Sequence, residues 1–414
     1  MTPEIKHRIE KIRRGEVPER YVKTALGLAP ANWKRYTFGD IYTERKESGD
    51  ENLPLLMVSI HSGVSDGEVD AAELPKQVKR IEDKSQYKKA VSGDLVFNMM
   101  RAWQGAIGTV RTTGMVSPAY IVAEPNDKVN PLFMDYYSRT PQMINQIDRQ
   151  SYGVTDFRKR LYWDSFAPIG CILPPIEEQQ KIAAILTTQD KAIKLKETRL
   201  AEKQRQKKYL MQQLLTGKKR LPGFYGAWSF PKAKELFQSV SDKDHNGDLA
   251  VLSSTQDRGI VPRDEVDIDI KYDACSLVNY KKVSKGNFVI SLRSFQGGIE
   301  YSTYTGLVSP AYTVLSSKKE ISDGYYKQFF KSTDYINRLN VAVYGIRDGK
   351  QISYEDFGRL RIPYPPIKEQ DAIAEVLSTA DREIELLQQD IEQEKQKKKA
   401  LMQLLLTGIV RVKT

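Results

Sequence analysis

The chain has 414 residues, 40% hydrophobic and 28% charged, enough core material for two or three folded units and unlike a disordered chain. Lys and Arg number 64 against 53 Asp and Glu, so the net charge of +11 favours polyanionic partners without the extreme basicity of a ribosomal protein. Cys171 and Cys275 are the only cysteines, which excludes a disulfide framework or a four-cysteine zinc site within one chain and fits a reducing compartment.

Met1 to Arg20 carries charges throughout and lacks the apolar centre of a secretory signal. No stretch approaches the ~20 apolar residues that span a bilayer, so a cytoplasmic protein without a membrane partner is expected. Glu4 to Arg14 reads as a short basic amphipathic helix inside an N-terminal helical extension, residues 1–29. Two docking places suit it, the long helices described next or a partner chain.

Beyond it the chain is written twice. Tyr87-Lys-Lys89 and Gly93 return as Tyr280-Lys-Lys282 and Gly286, and Gly114-Met-Val-Ser-Pro-Ala-Tyr120 returns as Gly306-Leu-Val-Ser-Pro-Ala-Tyr312. Pro174-Pro-Ile-Glu-Glu-Gln179 returns as Pro365-Pro-Ile-Lys-Glu-Gln370, and Leu210-Met-Gln-Gln-Leu-Leu-Thr-Gly217 as Leu401-Met-Gln-Leu-Leu-Leu-Thr-Gly408. An internal repeat decides architecture before local propensity does. In each copy short runs rich in strand formers come first: Leu55 to Ile60, Asp94 to Phe97 and Tyr120 to Ala123, then Leu249 to Ser253, Asn287 to Ser291 and Ala311 to Leu315. A helical stretch follows, Pro131 to Ile147 and Asp323 to Leu339.

The offset stays constant from Pro174 to Gly217, as a single helix with a register to keep would require. Two prolines at the start, acidic residues in the first turn and a glycine at the end mark its limits, and Ile176 to Thr216 contains neither proline nor glycine. Leu186, Ile193, Leu200, Lys207 and Leu214 fall seven apart, and Leu377, Ile384, Ile391, Lys398 and Leu405 repeat the register. That spacing predicts a coiled-coil seam, most economically an antiparallel pair formed by the two helices of one chain. The alternative is that each helix caps its own domain.

The expected fold class is therefore α+β, a tandem duplication of a mixed domain followed by a long helix. The segments are 1–29, a domain at 30–172, a helix at 173–220, a second domain at 221–363 and a second helix at 364–414.

Traces of catalytic chemistry are sparse. His7, His61 and His245 lie far apart with no second ligand at metal spacing, and no phosphate-binding glycine pattern occurs. Pro262-Arg-Asp264 with Asp269-Ile-Lys271 loosely imitates a metal-dependent nuclease, but the counterpart near Glu68-Val-Asp70 has no Asp-x-Lys, which favours a solvated loop.

What recurs suits nucleic acid. Arg101-Ala-Trp103-Gln104 and Arg293-Ser-Phe295-Gln296 stand at equivalent places after a strand, each followed by glycine. Arginine pairs bidentately with guanine and glutamine with adenine, while the aromatic either stacks or fills core. A second shared loop carries Tyr152, Arg158, Lys159 and Arg160 in one copy and Tyr344, Arg347 and Lys350 in the other, with backbone phosphates as natural partners and a salt-bridged surface as the alternative.

Pro-Pro-Ile-x-Glu-Gln opening a long helix that closes in Leu-Leu-Thr-Gly, twice over, resembles the specificity (S, HsdS) subunit of type I restriction-modification systems across nearly the whole chain. Segments ending in Trp33 and Trp228 resemble the starts of that family's two target recognition domains. The resemblance implies a non-catalytic subunit whose domains each read one half of a bipartite, asymmetric site in double-stranded DNA. Its helices would set the spacer and dock two modification (methyltransferase) subunits. Those partners would bring S-adenosylmethionine, and restriction subunits would bring ATP, Mg, translocation and cleavage; no cofactor or metal is expected on this chain. The competing readings are a two-headed protein-binding scaffold and a stand-alone nuclease.

Overall fold

The computed structural model describes residues 3–50, 52–65, 86–153, 155, 158–266, 274–342 and 352–412. Backbone contacts divide the chain into two compact units, Met1–Leu195 with Ile391–Thr414, and Lys196–Asp390. Each contains one α+β head and parts of both long helices, so the repeat expected from sequence is present in three dimensions.

In the first unit a four-stranded antiparallel sheet runs in the order Tyr42–Glu44, Tyr120–Pro125, Leu95–Asn98, Ile107–Thr109. The second unit repeats it with Phe237–Val240, Thr313–Ser317, Phe288–Ile290 and Glu300–Tyr301. The recurring sequence motifs pair with one another beside these sheets: Lys88–Ala90 with Gly114–Val116, and Lys281–Val283 with Gly306–Val308. Burial explains the composition. The strand Leu95–Asn98 puts Leu95, Val96 and Phe97 wholly inside, and the Phe97 and Phe38 rings close on Phe166 at 4.6 and 4.3 Å. In the second head Phe237, Phe288 and Phe330 form the matching centre.

Each helical stretch expected as one is two. Pro131–Tyr137 and Pro141–Gln150 are separate because Thr140 caps the second, its Oγ1 accepting from the Met143 N–H at 3.4 Å, with Pro141 at the first helical position. Asp323–Phe329 and Thr333–Ala342 are divided by Ser332, whose Oγ accepts from the Tyr335 N–H at 3.3 Å. The N-terminal extension is also only partly helical: Pro3–Arg13 is the helix, and Tyr21–Thr24 pairs with Gly27–Pro30 as a hairpin.

The long helices are Ile176–Leu214, 39 residues, and Ile367–Leu406, 40 residues, each roughly 60 Å at ~1.5 Å per residue. Gly217 and Gly408 stand past their ends at φ 71°, the left-handed conformation that stops a helix and that glycine adopts without strain. Within the second unit Lys196 meets Asp390 at 2.8 Å, Lys203 meets Glu383 at 2.6 Å and Lys207 meets Asp381 at 2.5 Å. One index falls as the other rises, which is an antiparallel pair. In the first unit Lys398 meets Asp190 at 2.5 Å, and Leu186 and Leu405 share one core.

The heptad positions divide by depth. Leu186, Ile193, Leu214, Leu377, Ile391 and Leu405 are buried, while Leu200 and Ile384 are half-buried. Lys207 and Lys398, the polar members of the two series, reach the aspartates of the facing helix. The same aspartates hold the heads: Asp190 accepts from the Tyr136 hydroxyl at 2.7 Å, and Asp381 from the Gln328 amide at 2.6 Å.

Candidate nucleic-acid interface

The strand Leu95–Asn98 ends in a turn whose residues face two ways. Ala102–Gln104 forms a single 3-10 turn closed by Gly105 at φ 104°. Gly105 adopts that positive φ without strain, and a Cβ there would sit 3.5 Å from the Ile60 oxygen, an ordinary contact, so the backbone conformation is what favours glycine within the head. Ala102 is buried and Trp103 packs against the core, its Nε1 donating to the Met100 oxygen at 3.0 Å. Arg101 and Gln104 are exposed. Ser294–Gly297 builds the equivalent turn in the second head, with Ser294 buried, Phe295 packed on the core, and Arg293 and Gln296 exposed. Of the two roles open to the aromatic, core filling is the one the packing shows.

The second basic loop in the first head leaves and returns at one place. Tyr152 and Arg160 exchange backbone hydrogen bonds at 3.1 and 3.0 Å, and the next residue, Leu161, donates to the Met99 oxygen at 2.9 Å. The loop is thereby fixed beside the Arg101 turn, and Lys159 Nζ lies 5.2 Å from the centre of the Trp103 ring, a cation–π distance. Lys159 also pairs with Asp148 at 2.8 Å, so part of its charge is answered inside the head. Arg158 and Arg160 are exposed, and Tyr152, 58% exposed, lies beside Tyr162 with the two rings tilted by 38° and their centroids 6.2 Å apart. Two groups far apart in sequence, Arg101 to Gln104 and Tyr152 to Arg160, thus form one basic, aromatic patch.

Tyr344, Arg347 and Lys350 lie outside the described residues, as do Glu68, Asp70, Asp269 and Lys271. Among the described residues no group of three or more His, Cys, Asp or Glu could hold a metal ion. His245 is engaged locally, its Nε2 2.9 Å from the Tyr280 oxygen and its Nδ1 accepting from the Gly247 N–H at 3.2 Å.

Beneath each head lies a buried carboxylate. Glu178, in the first turn of its long helix, accepts from Trp33 Nε1 at 3.2 Å and from Arg411 at 2.5 and 2.7 Å. Glu369 accepts from Trp228 Nε1 at 2.9 Å and from Arg220 at 2.5 and 2.6 Å. Gln179 and Gln370, the next residues, tie the segment before the head's helices to the same place: Gln179 Oε1 accepts from the Asn130 N–H and Gln370 Oε1 from the Ser322 N–H, both at 2.9 Å. The Glu-Gln pair of the repeated motif is therefore a clamp between head and helix. Sequence reading found the motif but not this use of it. The arginines recur three residues past each terminal glycine, and that recurrence is the sequence signal for the clamp.

A duplicated α+β head, each copy locked to paired long helices and carrying a basic turn, defines a two-headed recognition protein. The sequence matches the family model described as Type I restriction modification DNA specificity domain at residues 58–205 and 227–396. The chain belongs to that family. It is 25% identical to the sequence designated MjaX specificity subunit, of Methanocaldococcus jannaschii, over 96% of this chain and 98% of the other. The type I restriction enzyme MjaVIII specificity subunit of the same organism is 24% identical over 80% of this chain and 83% of its own. Similar folds occur in the HsdS subunit of Thermoanaerobacter tengcongensis, TM-score 0.50, 17% identity, covering 92% of this chain and 98% of that one. A chain from work on complex assembly and conformational transition of the type I R-M system gives TM-score 0.55 at 18% identity, covering 92% and 99%. Specificity subunits of this family are not themselves catalysts, and they act within complexes with modification and restriction subunits.

Proposed function

We propose that this chain gives a type I restriction-modification complex its DNA sequence specificity, with residues 30–172 reading one half of a bipartite, asymmetric site and residues 221–363 the other. The observation that carries this reading is the recurrence, in two heads of one family fold, of a turn with its aromatic inward and its Arg and Gln outward. Arg101, Gln104, Arg293 and Gln296 are assigned to base edges. Arg158, Lys159 and Arg160, with Arg347 and Lys350 in the second copy, are assigned to phosphates, and Tyr152 and Tyr344 to DNA contact alongside them.

The long helices set the spacing of the two halves and dock two modification subunits. Two weak readers joined this way gain affinity through effective concentration. S-adenosylmethionine belongs to the modification subunits, and ATP and Mg to the restriction subunits. Among the described residues no helix is long and apolar enough to cross a membrane, and a cytoplasmic location is part of the proposal.

Duplex DNA titrated at several salt concentrations tests it. For a DNA reader the logarithm of the affinity falls linearly with log salt, and a site selected from randomised duplexes has two defined halves. A protein-binding scaffold shows neither.

A further inference from the structure

Met100 and Leu292 stand at the same place in the two heads, related by the shift that carries Gly114 to Gly306. Both are large apolar side chains left in solvent, 42% and 49% exposed. Single exposed apolar residues are ordinary. A pair at equivalent positions, each directly before an exposed arginine on a turn that otherwise buries its apolar member, is a recurring feature of the turn.

The backbone beneath these side chains is fixed. The Met100 N–H donates to Asn98 Oδ1 at 2.9 Å and its carbonyl accepts from Trp103 Nε1 at 3.0 Å. Around Leu292, the Ser291 N–H donates to Ser294 Oγ at 2.8 Å and the Arg293 N–H to Ser291 Oγ at 3.3 Å. Each head thus holds an arginine, a glutamine and an apolar side chain outward on one pinned turn. Arginine and glutamine match guanine and adenine edges in the major groove, and the one apolar group a base edge presents in that groove is the C5-methyl of thymine.

We infer that Met100 and Leu292 are specificity-determining residues, each packing on a thymine methyl in the half-site its own head reads. The inference rests on the DNA-reading function proposed above. One buried methyl corresponds to about a three- to fivefold change in affinity.

The full chain, assembled with its modification subunits, first selects its site from randomised duplexes. Each thymine of that site is then replaced singly by deoxyuridine, which removes only the methyl, and binding is titrated for the wild type, Met100→Ala and Leu292→Ala. The wild type is expected to lose about three- to fivefold at a thymine in each half. Met100→Ala abolishes that loss in one half only and Leu292→Ala in the other, with thermal unfolding unchanged. The inference is overturned if deoxyuridine costs nothing, if its cost survives both substitutions, or if each variant binds the uracil duplex clearly more weakly than the wild type binds it, as loss of an apolar wedge between base steps would require. A selection that returns no site overturns the DNA-reading function itself, a result distinct from these.

Discussion

Arg411 closes on Glu178 with two parallel hydrogen bonds, Nε to Oε1 at 2.5 Å and Nη2 to Oε2 at 2.7 Å, across 233 residues of sequence. The Glu178 side chain is wholly buried and Arg411 is 30% exposed. With Trp33 on the same carboxylate, the start of the first head, the start of one long helix and the segment after the other meet at one atom group. Arg220 and Glu369 repeat the arrangement in the second unit, where the arginine also lies 5.3 Å over the Trp228 ring.

Arg411→Ala leaves a buried carboxylate with one indole donor. Removing one partner of a buried pair costs about 3–5 kcal/mol, and the partial exposure of this arginine places the expected loss near the lower end. Arg411→Lys recovers only part of it, because an ammonium cannot make the two-pronged contact. Denaturant unfolding measures both; a loss below about 1 kcal/mol for Arg411→Ala contradicts the clamp.

Arg101→Ala and Trp103→Ala separate reading from support. The arginine is exposed, so stability is expected to change by less than about 0.5 kcal/mol while specific DNA affinity falls by about 1–3 kcal/mol, relaxing one half-site. Trp103→Ala removes a core contact and a hydrogen bond and is expected to cost about 2 kcal/mol of stability. Equal stability losses for the two variants would count against the assigned roles.

Burial pushes the Cys171 thiol from its ordinary 9.0 up to about 12. The folded chain therefore keeps this proton where the unfolded chain releases it, a contribution fully present below pH 9 and lost as pH rises towards about 12. Cys171 is expected to resist thiol reagents at pH 8 until the protein unfolds, and Cys171→Ala to flatten the alkaline loss of stability. Rapid labelling of Cys171 in the folded protein would refute this.

The seam repeats every seven residues, so seven residues inserted at equivalent points of both long helices keep its register and add about 10 Å to each. That is about three base pairs at ~3.4 Å per step, and the recognised spacer is expected to lengthen accordingly. Sequencing of methylated sites reads the result; an unchanged spacer removes the helices from the task of spacing.

Much of this was readable from local signals. The long helices announce themselves through Pro-Pro, the acidic first turn and the terminal glycine, and the heads through the recurring Gly-x-Val-Ser-Pro-Ala-Tyr, whose strand pairs with the recurring Lys-Lys segment. The break at Thr140-Pro141 is equally local, but the apolar pattern continues across it and favours a single helix. Other features depend on contacts between distant segments. Nothing near Glu178 in sequence points to Trp33 or Arg411, and nothing near Arg101 says that the loop from Tyr152 to Arg160 returns beside it. Met100 has the composition of a core residue, and only the direction in which the turn presents it puts it in solvent.

The central claim is that each head reads its own half of the site. Replacing residues 30–172 with the corresponding head of another family member, then mapping methylated adenines across the genome of cells carrying the complex, tests it most directly. One half of the recognised sequence is expected to change while the other half and the spacer stay as they were; a change in both halves, or in neither, would contradict the account.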